Sequence, residues 1–243
     1  MTIGTIIGII FGITMLGIGF YYLKLKILVE NTPTSKIRSI AMGLVEIFGS
    51  VVPIKLLKSP FTNKECIGYK YTIEEYKSSG KENSWQIIKQ GDSRNNFYLK
   101  DDTGNVLVNL IGAQLDIPRS YFFDSGFGKD PQENIKKFLK ENNMNFENFL
   151  GINKRMKYSE YIISPNDKLY ILGTAADNPN VEEGTAVKGS EDIIIQKGKY
   201  EKIFYISANP EKELVSRLKK FAFGFIIFGV FLILISTIVS FIK

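Results

Sequence analysis

The sequence predicts a mainly β (α+β) soluble domain flanked by two transmembrane helices. Residues 3–23 and 221–242 contain no charged side chain, and each run exceeds or matches the roughly 20 residues that cross a bilayer core. Residues 66–76 alternate apolar and polar side chains with a period of two, which predicts a half-buried strand. The segment between the apolar runs, residues 34–208, is long enough to form one domain with its own core.

The first apolar segment is interpreted as an uncleaved membrane anchor. A signal peptide carries basic residues before its apolar stretch, whereas only Met1 and Thr2 precede this one. The segment ends in aromatic residues at positions 20–22, followed by Lys24 and Lys26. An aromatic belt with a basic flank is typical of a spanning helix at the membrane surface.

Basic residues at the helix ends predict the orientation. Lys24 and Lys26 follow the first helix, and Lys219 and Lys220 precede the second, whereas the outer ends carry only the terminal amine and Lys243. Because basic flanks stay on the cytoplasmic side, we expect a cytoplasmic domain with both termini outside.

Alternating and β-branched runs predict the strands of the domain. The clearest run is 66–76, and a turn at 101–104 with a glycine indicates a hairpin. Further strands are predicted at 44–52, 85–89, 97–100, 105–110, 113–117, 158–163, 168–174, 192–196 and 203–207.

One amphipathic helix is predicted inside this strand series, near residues 131–142. Asp130 and the following proline are typical of a helix start, with Asp130 as the N-cap. Ile135, Phe138 and Leu139 share one face, so we expect them to pack against the sheet.

Three other segments complete the chain. A short amphipathic helix is predicted at 35–41 and a polar loop at 177–190. A last helix begins at about residue 210 and continues without a breaker into the second membrane segment.

The residue inventory excludes several classes of active site. The chain has one cysteine, Cys66, and no histidine, which excludes internal disulfides, zinc sites built on several thiolates, and histidine-based triads. Cys66 is interpreted as a half-buried strand residue. A Ser–Lys hydrolase stays open, because that pairing needs no histidine. No catalytic residue, metal ligand or cofactor is predicted.

The adjacent acids Asp101 and Asp102 are interpreted as turn residues. A metal site would need converging oxygens from elsewhere, such as Asp116 or Asp124. Neighbouring strand residues face opposite ways, so the two carboxylates do not easily share one metal site. Aspartate commonly hydrogen-bonds the nearby backbone in turns, which favours a structural role.

Aromatic residues lie among lysines on the predicted strands, a pattern that nucleic-acid-binding sheets share with ordinary β-cores. The net charge is only +6 and the lysines are scattered, so nucleic acid is not an expected partner. The aromatic residues concerned are Tyr69, Tyr71, Tyr76, Trp85, Phe97 and Tyr98.

Small residues repeat along both membrane segments and predict a helix-packing face. In the first segment they recur every four residues, and in the second every seven, which permits close approach of two backbones. The predicted packing residues are Gly4, Gly8, Gly12, Ala222, Gly229 and Ser236. We expect Gly8 and Gly12 to meet Ser236 and Gly229 within one chain, with a homo-oligomer as the alternative.

Several blocks, taken in order, resemble a known domain. They are residues 43–51 (GLVEIFGSV), 59–75 (SPFTNKECIGYKYTIEE), 97–108 (FYLKDDTGNVLV), 167–175 (DKLYILGTA) and 204–207 (FYIS). This set is similar to the GIDE domain, also called the BAM (beside-a-membrane) domain, of a mitochondrial outer-membrane ubiquitin ligase family. Prokaryotic proteins carry the domain too. The turn at 101–104 and the later Asp-x-Leu-Tyr segment are also similar to small OB-like β-barrels.

The resemblance implies a membrane-apposed module that binds a protein partner. The ligases of this family carry a zinc-binding RING, which one cysteine and no histidine cannot build. We therefore expect a non-catalytic scaffold beside the lipid bilayer, with an unidentified protein partner. The alternatives are a factor that acts with a separate ligase subunit and an OB-like nucleic-acid binder. In the ligases the domain faces the intermembrane space, which conflicts with the cytoplasmic side that the basic flanks predict.

Overall fold

The computed structural model describes residues 3–79, 82–179, 192–199, 202–209 and 211–242. The chain divides into two compact units, one made of residues 1–34 with 209–243 and the other of residues 35–208. The fold class predicted from the sequence is confirmed: strands dominate the second unit, and a long apolar helix lies at each end of the chain.

The helical unit consists of α1 (Ile3–Asn31) and α3 (Glu211–Ile242), which pack along each other in opposite directions. Both helices are long and apolar enough to cross a membrane. At 1.5 Å per residue they measure about 44 and 48 Å, more than the roughly 30 Å hydrocarbon core. The last helix runs from Glu211 without a break, as the missing helix breaker predicts.

The β-unit contains one helix, α2 (Glu133–Glu141), a 3-10 turn (Ile37–Ser39) and thirteen strands among the described residues. The strands are β1 (Gly43–Pro53), β2 (Leu57–Lys58), β3 (Glu65–Cys66), β4 (Gly68–Ser79), β5 (Glu82–Arg94), β6 (Phe97–Lys100), β7 (Asn105–Val108), β8 (Gln114–Asp116), β9 (Tyr121–Ser125), β10 (Met156–Ile163), β11 (Lys168–Asp177), β12 (Ile193–Gln196) and β13 (Tyr205–Ser207).

Five strands close into a barrel in the order β1–β6–β7–β12–β11, because β11 pairs back with β1. β13 and β8 extend this sheet beyond β11. Gly49 lies where β1 passes from β11 to β6, and a Cβ there would lie 2.5 Å from the Lys100 carbonyl oxygen. The absent side chain therefore permits the close strand contact. The barrel interior is mainly aliphatic, with Ile47, Leu99 and Ile171 fully buried, and it also contains the ring of Phe97.

A second sheet has the order β5–β4–β10–β9, and α2 packs on one of its faces. Ile135 and Leu139 of α2 are fully buried and Phe138 packs beside them, as the amphipathic pattern predicts. This second core is aromatic. Phe61 makes edge contacts with Tyr71, Phe138 and Tyr158 at ring-centroid distances of 5.4–5.9 Å.

Three sequence predictions need correction. Asp130 is not the N-cap of α2, which starts two residues later with Gln132 as its N-cap and no side-chain cap bond. Instead, the Asp130 carboxylate accepts hydrogen bonds from Lys136 Nζ and Asn153 Nδ2 at 3.0 and 2.7 Å. The predicted strand 66–76 is also divided, since Cys66 belongs to β3 and pairs with Leu57.

The third correction concerns residues 35–41, which form only the 3-10 turn at Ile37–Ser39. The N–H of Ile37 donates to Asp101 Oδ2 and that of Arg38 donates to Thr103 Oγ1. These bonds tie the segment to the β6–β7 turn instead of leaving it to form a longer helix. Strand β9 was not predicted, and the predicted loop at 177–190 lies largely outside the described residues.

Candidate functional site

The packing face of α1 and α3 is built from glycines set against small residues. A Cβ on Gly8 would overlap Ser236 Oγ, and one on Gly12 would lie 2.6 Å from Ile233 Cγ1 and 3.0 Å from the Gly229 carbonyl oxygen. Both distances at Gly12 are shorter than ordinary contacts of a real Cβ, so a larger residue there needs a shift of the partner helix, and one at Gly8 needs at least a movement of the Ser236 side chain.

One predicted packing residue, Gly4, makes no close contact, and one glycine that does was not predicted. Gly4 has open space where its Cβ would lie. Gly19, which the four-residue spacing misses, lies against Ala222 and Ile226. The buried positions Thr5, Gly12 and Gly19 recur every seven residues on α1. Ala222, Gly229 and Ser236 on α3 have the same spacing of seven residues. A search for that spacing on α1 would have identified Gly19 from the sequence.

Asp101 organises the β6–β7 turn. Its carboxylate accepts hydrogen bonds from the backbone N–H groups of Ile37, Thr103 and Gly104 and from the Thr103 hydroxyl, at 2.6–3.0 Å. Burial raises the pKa of Asp101, but these hydrogen bonds outweigh it and hold the pKa below its ordinary value. Asp102 points to Lys36, whose Nζ lies 2.5 Å from Oδ1. The turn interpretation of the two acids fits this geometry.

Cys66 is fully buried, although the sequence predicted a half-buried residue. Its Sγ lies 3.7 Å from the Leu57 carbonyl oxygen. Burial raises the pKa of the Cys66 thiol to about 11, and the nearby Glu160 carboxylate adds to the shift. A thiol with this pKa stays protonated at neutral pH and is a poor nucleophile.

Glu160 is a buried carboxylate that the sequence analysis did not single out. Located on β10, it accepts hydrogen bonds from Ser59 Oγ, Phe61 N–H and Thr62 Oγ1 at 2.5–3.1 Å. These bonds hold the 59–64 loop, which places Phe61 in the aromatic core. An acid in a strand rich in apolar and aromatic residues was the available signal. Glu46 gives the same signal on β1, where its Oε2 accepts from Tyr170 Oη at 2.7 Å.

The strand aromatics do not form one continuous surface. Phe97 lies inside the barrel and Tyr71 inside the second core. Tyr76 and Trp85 form an edge contact at a centroid distance of 5.2 Å on the second sheet. The guanidinium of Arg155 covers Tyr76 at 4.4 Å, and Lys157 Nζ lies 3.8 Å from the Trp85 ring centroid.

β5 is the long outer strand of the second sheet. It has 13 residues, and among the described residues it pairs only with β4. Ile87 on this strand is 58% exposed. An outer strand carries backbone donors and acceptors that another extended segment can pair with.

One groove of the β-unit contains a lysine that is paired with two acids. A groove of about 430 Å³ beside α2 is lined by Lys136, Lys140 and Phe146 among others. Hydrogen bonds to Asp130 and Glu133 raise the pKa of Lys136, so this lysine holds its proton. Within the described ranges, no group of three or more His, Cys, Asp or Glu side chains could hold a metal ion.

Comparison with known proteins assigns the family. The profile named GIDE, described as E3 ubiquitin ligase, matches residues 69–240, from β4 to the end region of α3. No curated protein and no solved structure matches the chain. Because the match spans more than half of the sequence, the chain belongs to the GIDE family.

Proposed function

We propose that this chain is a membrane-anchored scaffold that binds a protein partner beside the membrane and performs no chemistry itself. The observation that carries the proposal is the outer strand β5. An extended partner segment adds to such a strand through main-chain hydrogen bonds, and the side chains of the strand then give specificity. The exposed Ile87 supplies an apolar contact on this strand.

The non-catalytic part of the proposal is supported by the state of the reactive groups. Accepting ubiquitin as a thioester requires an exposed, low-pKa thiol, whereas Cys66 is buried with its pKa raised to about 11. The buried carboxylates Glu160 and Glu46 already accept hydrogen bonds from the fold. The chain has no histidine.

The test uses the full-length chain in its native membrane. A photo-crosslinking residue replaces Ile87, and the control replaces Ile111, a more exposed isoleucine on a barrel loop. We expect one protein to crosslink at position 87 and not at position 111. In a pull-down, the variant Ile87→Lys should recover less of this protein than the wild-type chain does. A lysine on an outer strand blocks the addition of another strand. Equal capture at both positions contradicts the proposal.

A second candidate function is a factor that acts with a separate ligase subunit. The family description, E3 ubiquitin ligase, favours it. The isolated chain should then transfer no ubiquitin in the presence of activating and conjugating enzymes, but should stimulate transfer when its captured partner is added. Transfer by the isolated chain, or stoichiometric zinc in the purified protein, contradicts both candidates.

We also propose that the β-unit lies in the cytoplasm, because lysines flank both apolar segments on that side. The reporter is Ile111→Cys in a Cys66→Ser background. Labelling of intact cells by a membrane-impermeant maleimide would contradict this placement, and labelling only after lysis would support it.

A further inference from the structure

Two loops at one end of the second sheet expose large apolar side chains. Phe127 is 88% exposed, Phe149 95% and Leu150 67%. These three residues, called the tip surface, are among the most exposed large apolar side chains of the β-unit. Exposed large apolar side chains grouped at one end of a domain mark interaction sites more often than single ones.

Hydrogen bonds fix both loops, so the exposure is not that of a loose segment. Gly126 and Lys129 exchange two backbone hydrogen bonds at 2.9–3.1 Å, which leaves Phe127 at the apex of a tight turn. In the other loop, Asn148 Oδ1 accepts from the N–H groups of Leu150 and Ile152 at 2.9 and 3.0 Å. The side chains are therefore held outward before any partner arrives.

The two loops are also tied to each other. Asn153 Nδ2 donates to Asp130 Oδ1 at 2.7 Å, and Ser125 Oγ donates to the Lys154 carbonyl oxygen at 3.2 Å. These bonds join the base of one loop to the base of the other. Phe127 and Phe149 thus belong to one end of the sheet.

We propose that the tip surface inserts into the interfacial region of a lipid bilayer. Exposed apolar side chains at the end of a sheet suit a soft apolar phase, into which amphipathic surfaces sink by about 5–10 Å. The chain carries two helices able to cross a membrane. Such anchoring keeps a bilayer at high effective concentration around the β-unit.

The charges around the tip surface favour an anionic bilayer modestly. Residues 122–157 contain seven lysines and arginines against five acids. Lys129 is paired with Asp124 at 2.7 Å and Lys136 with Asp130 at 3.0 Å. Apolar insertion is therefore the main contribution, and anionic lipid strengthens it. This inference does not rest on the scaffold proposed above.

The experiment reports the environment of residue 149 in the full-length chain. Phe149→Cys in a Cys66→Ser background is labelled with the fluorophore NBD and reconstituted into phosphatidylcholine vesicles with or without phosphatidylserine. Ile111→Cys is the matched control. Ile111 is 73% exposed and follows an asparagine, Asn109, whose Oδ1 accepts its N–H as Asn148 does for Leu150.

We expect nitroxide-labelled lipid to quench the label at position 149 and not at position 111, and more strongly with phosphatidylserine. Phe127→Ser with Leu150→Ser should lower the ratio of inserted to free tip by about tenfold or more, because both side chains leave the apolar phase. Both substituted residues are exposed, so thermal unfolding should not change.

Equal quenching at the two positions would overturn the proposal. The alternative occupant is a second copy of the chain. Diluting the protein in the bilayer separates the two occupants, because lipid contact persists on dilution and contact with a second copy fades. A signal at position 149 that fades in this way would also overturn the proposal.

Discussion

The two units of this chain are stabilised by residues of opposite size. In the β-unit, large side chains such as Phe97 and Phe61 fill two cores, and burial removes their apolar surface from water. In the helical unit, contact depends on missing side chains at Gly8 and Gly12. Because lipid is as apolar as the helices, the hydrophobic effect does not favour their association. Van der Waals contact between closely spaced backbones must stabilise the pair instead. A large-to-small substitution should therefore destabilise the β-unit, and a small-to-large substitution should destabilise the helical unit.

The largest effect is expected from a large-to-small change in the barrel. Phe97→Ala should reduce the free energy of unfolding by about 3–5 kcal/mol, because it removes a fully buried ring. Phe138→Ala, at a half-buried ring of the second core, should cost less. Trp85 is the only tryptophan and lies on β5. Its fluorescence follows the second sheet, while circular dichroism follows all strands. If Phe97→Ala leaves the Trp85 transition in place, the two sheets unfold separately.

A smaller effect is expected at Glu160. Glu160→Leu leaves Ser59, Phe61 N–H and Thr62 without their acceptor, which should cost about 2–4 kcal/mol. Exchange of the Phe61 amide hydrogen measures the release of the loop directly. Glu160→Gln, which keeps an acceptor oxygen, is the control and should be milder. Unchanged exchange in Glu160→Leu would show that the loop is held by Phe61 packing alone.

The sequence predicted the local features of this site and missed those that depend on distant partners. The turn of Asp101 and the buried face of α2 follow from spacing within a few residues. Glu160 joins a loop almost 100 residues earlier, and no local pattern indicates that partner. The sequence of β9, YFFDS, does not alternate apolar and polar residues, so its place next to β10 is set by the sheet. Barrel closure by β1 and β11 is likewise a long-range pairing.

The next effect concerns acid sensitivity through Asp101. Its pKa is lowered in the folded state, so the stability it provides is present above its unfolded pKa of about 3.9 and is lost as pH falls through the lower folded value. Asp101→Asn should cost about 1.5–3 kcal/mol at neutral pH. The variant should also lose less stability than the wild type below about pH 4. The free energy of unfolding of both proteins is measured with denaturant at pH 7 and at acidic pH. An equal loss of stability in the two proteins would contradict this prediction.

The smallest effect on stability is expected in the helices. There the damaging substitution replaces a small residue by a large one, whereas in the barrel it replaces a large residue by a small one. Gly12→Leu places a side chain against Ile233 and the Gly229 backbone and should weaken helix contact by on the order of 1 kcal/mol. Disulfide formation between Gly8→Cys and Ser236→Cys, in a Cys66→Ser background, measures that contact within one chain. Gly17→Leu is the control, since its Cβ meets open space. Crosslinks only between chains would indicate an oligomer face.

The closure of the barrel also determines how long β1 stays incompletely paired during synthesis. Gly43 of β1 pairs with Ala175 of β11, which leaves the ribosome 132 residues later. At about 5–20 residues per second, residues 43–50 of β1 wait roughly 7–26 s for β11, whereas β6, the other partner of β1, emerges earlier. All four strands of the second sheet emerge in that interval. The nascent chain therefore carries an open barrel strand while α1 is already available for membrane insertion, and this interval is when chaperones and proteases have access to it.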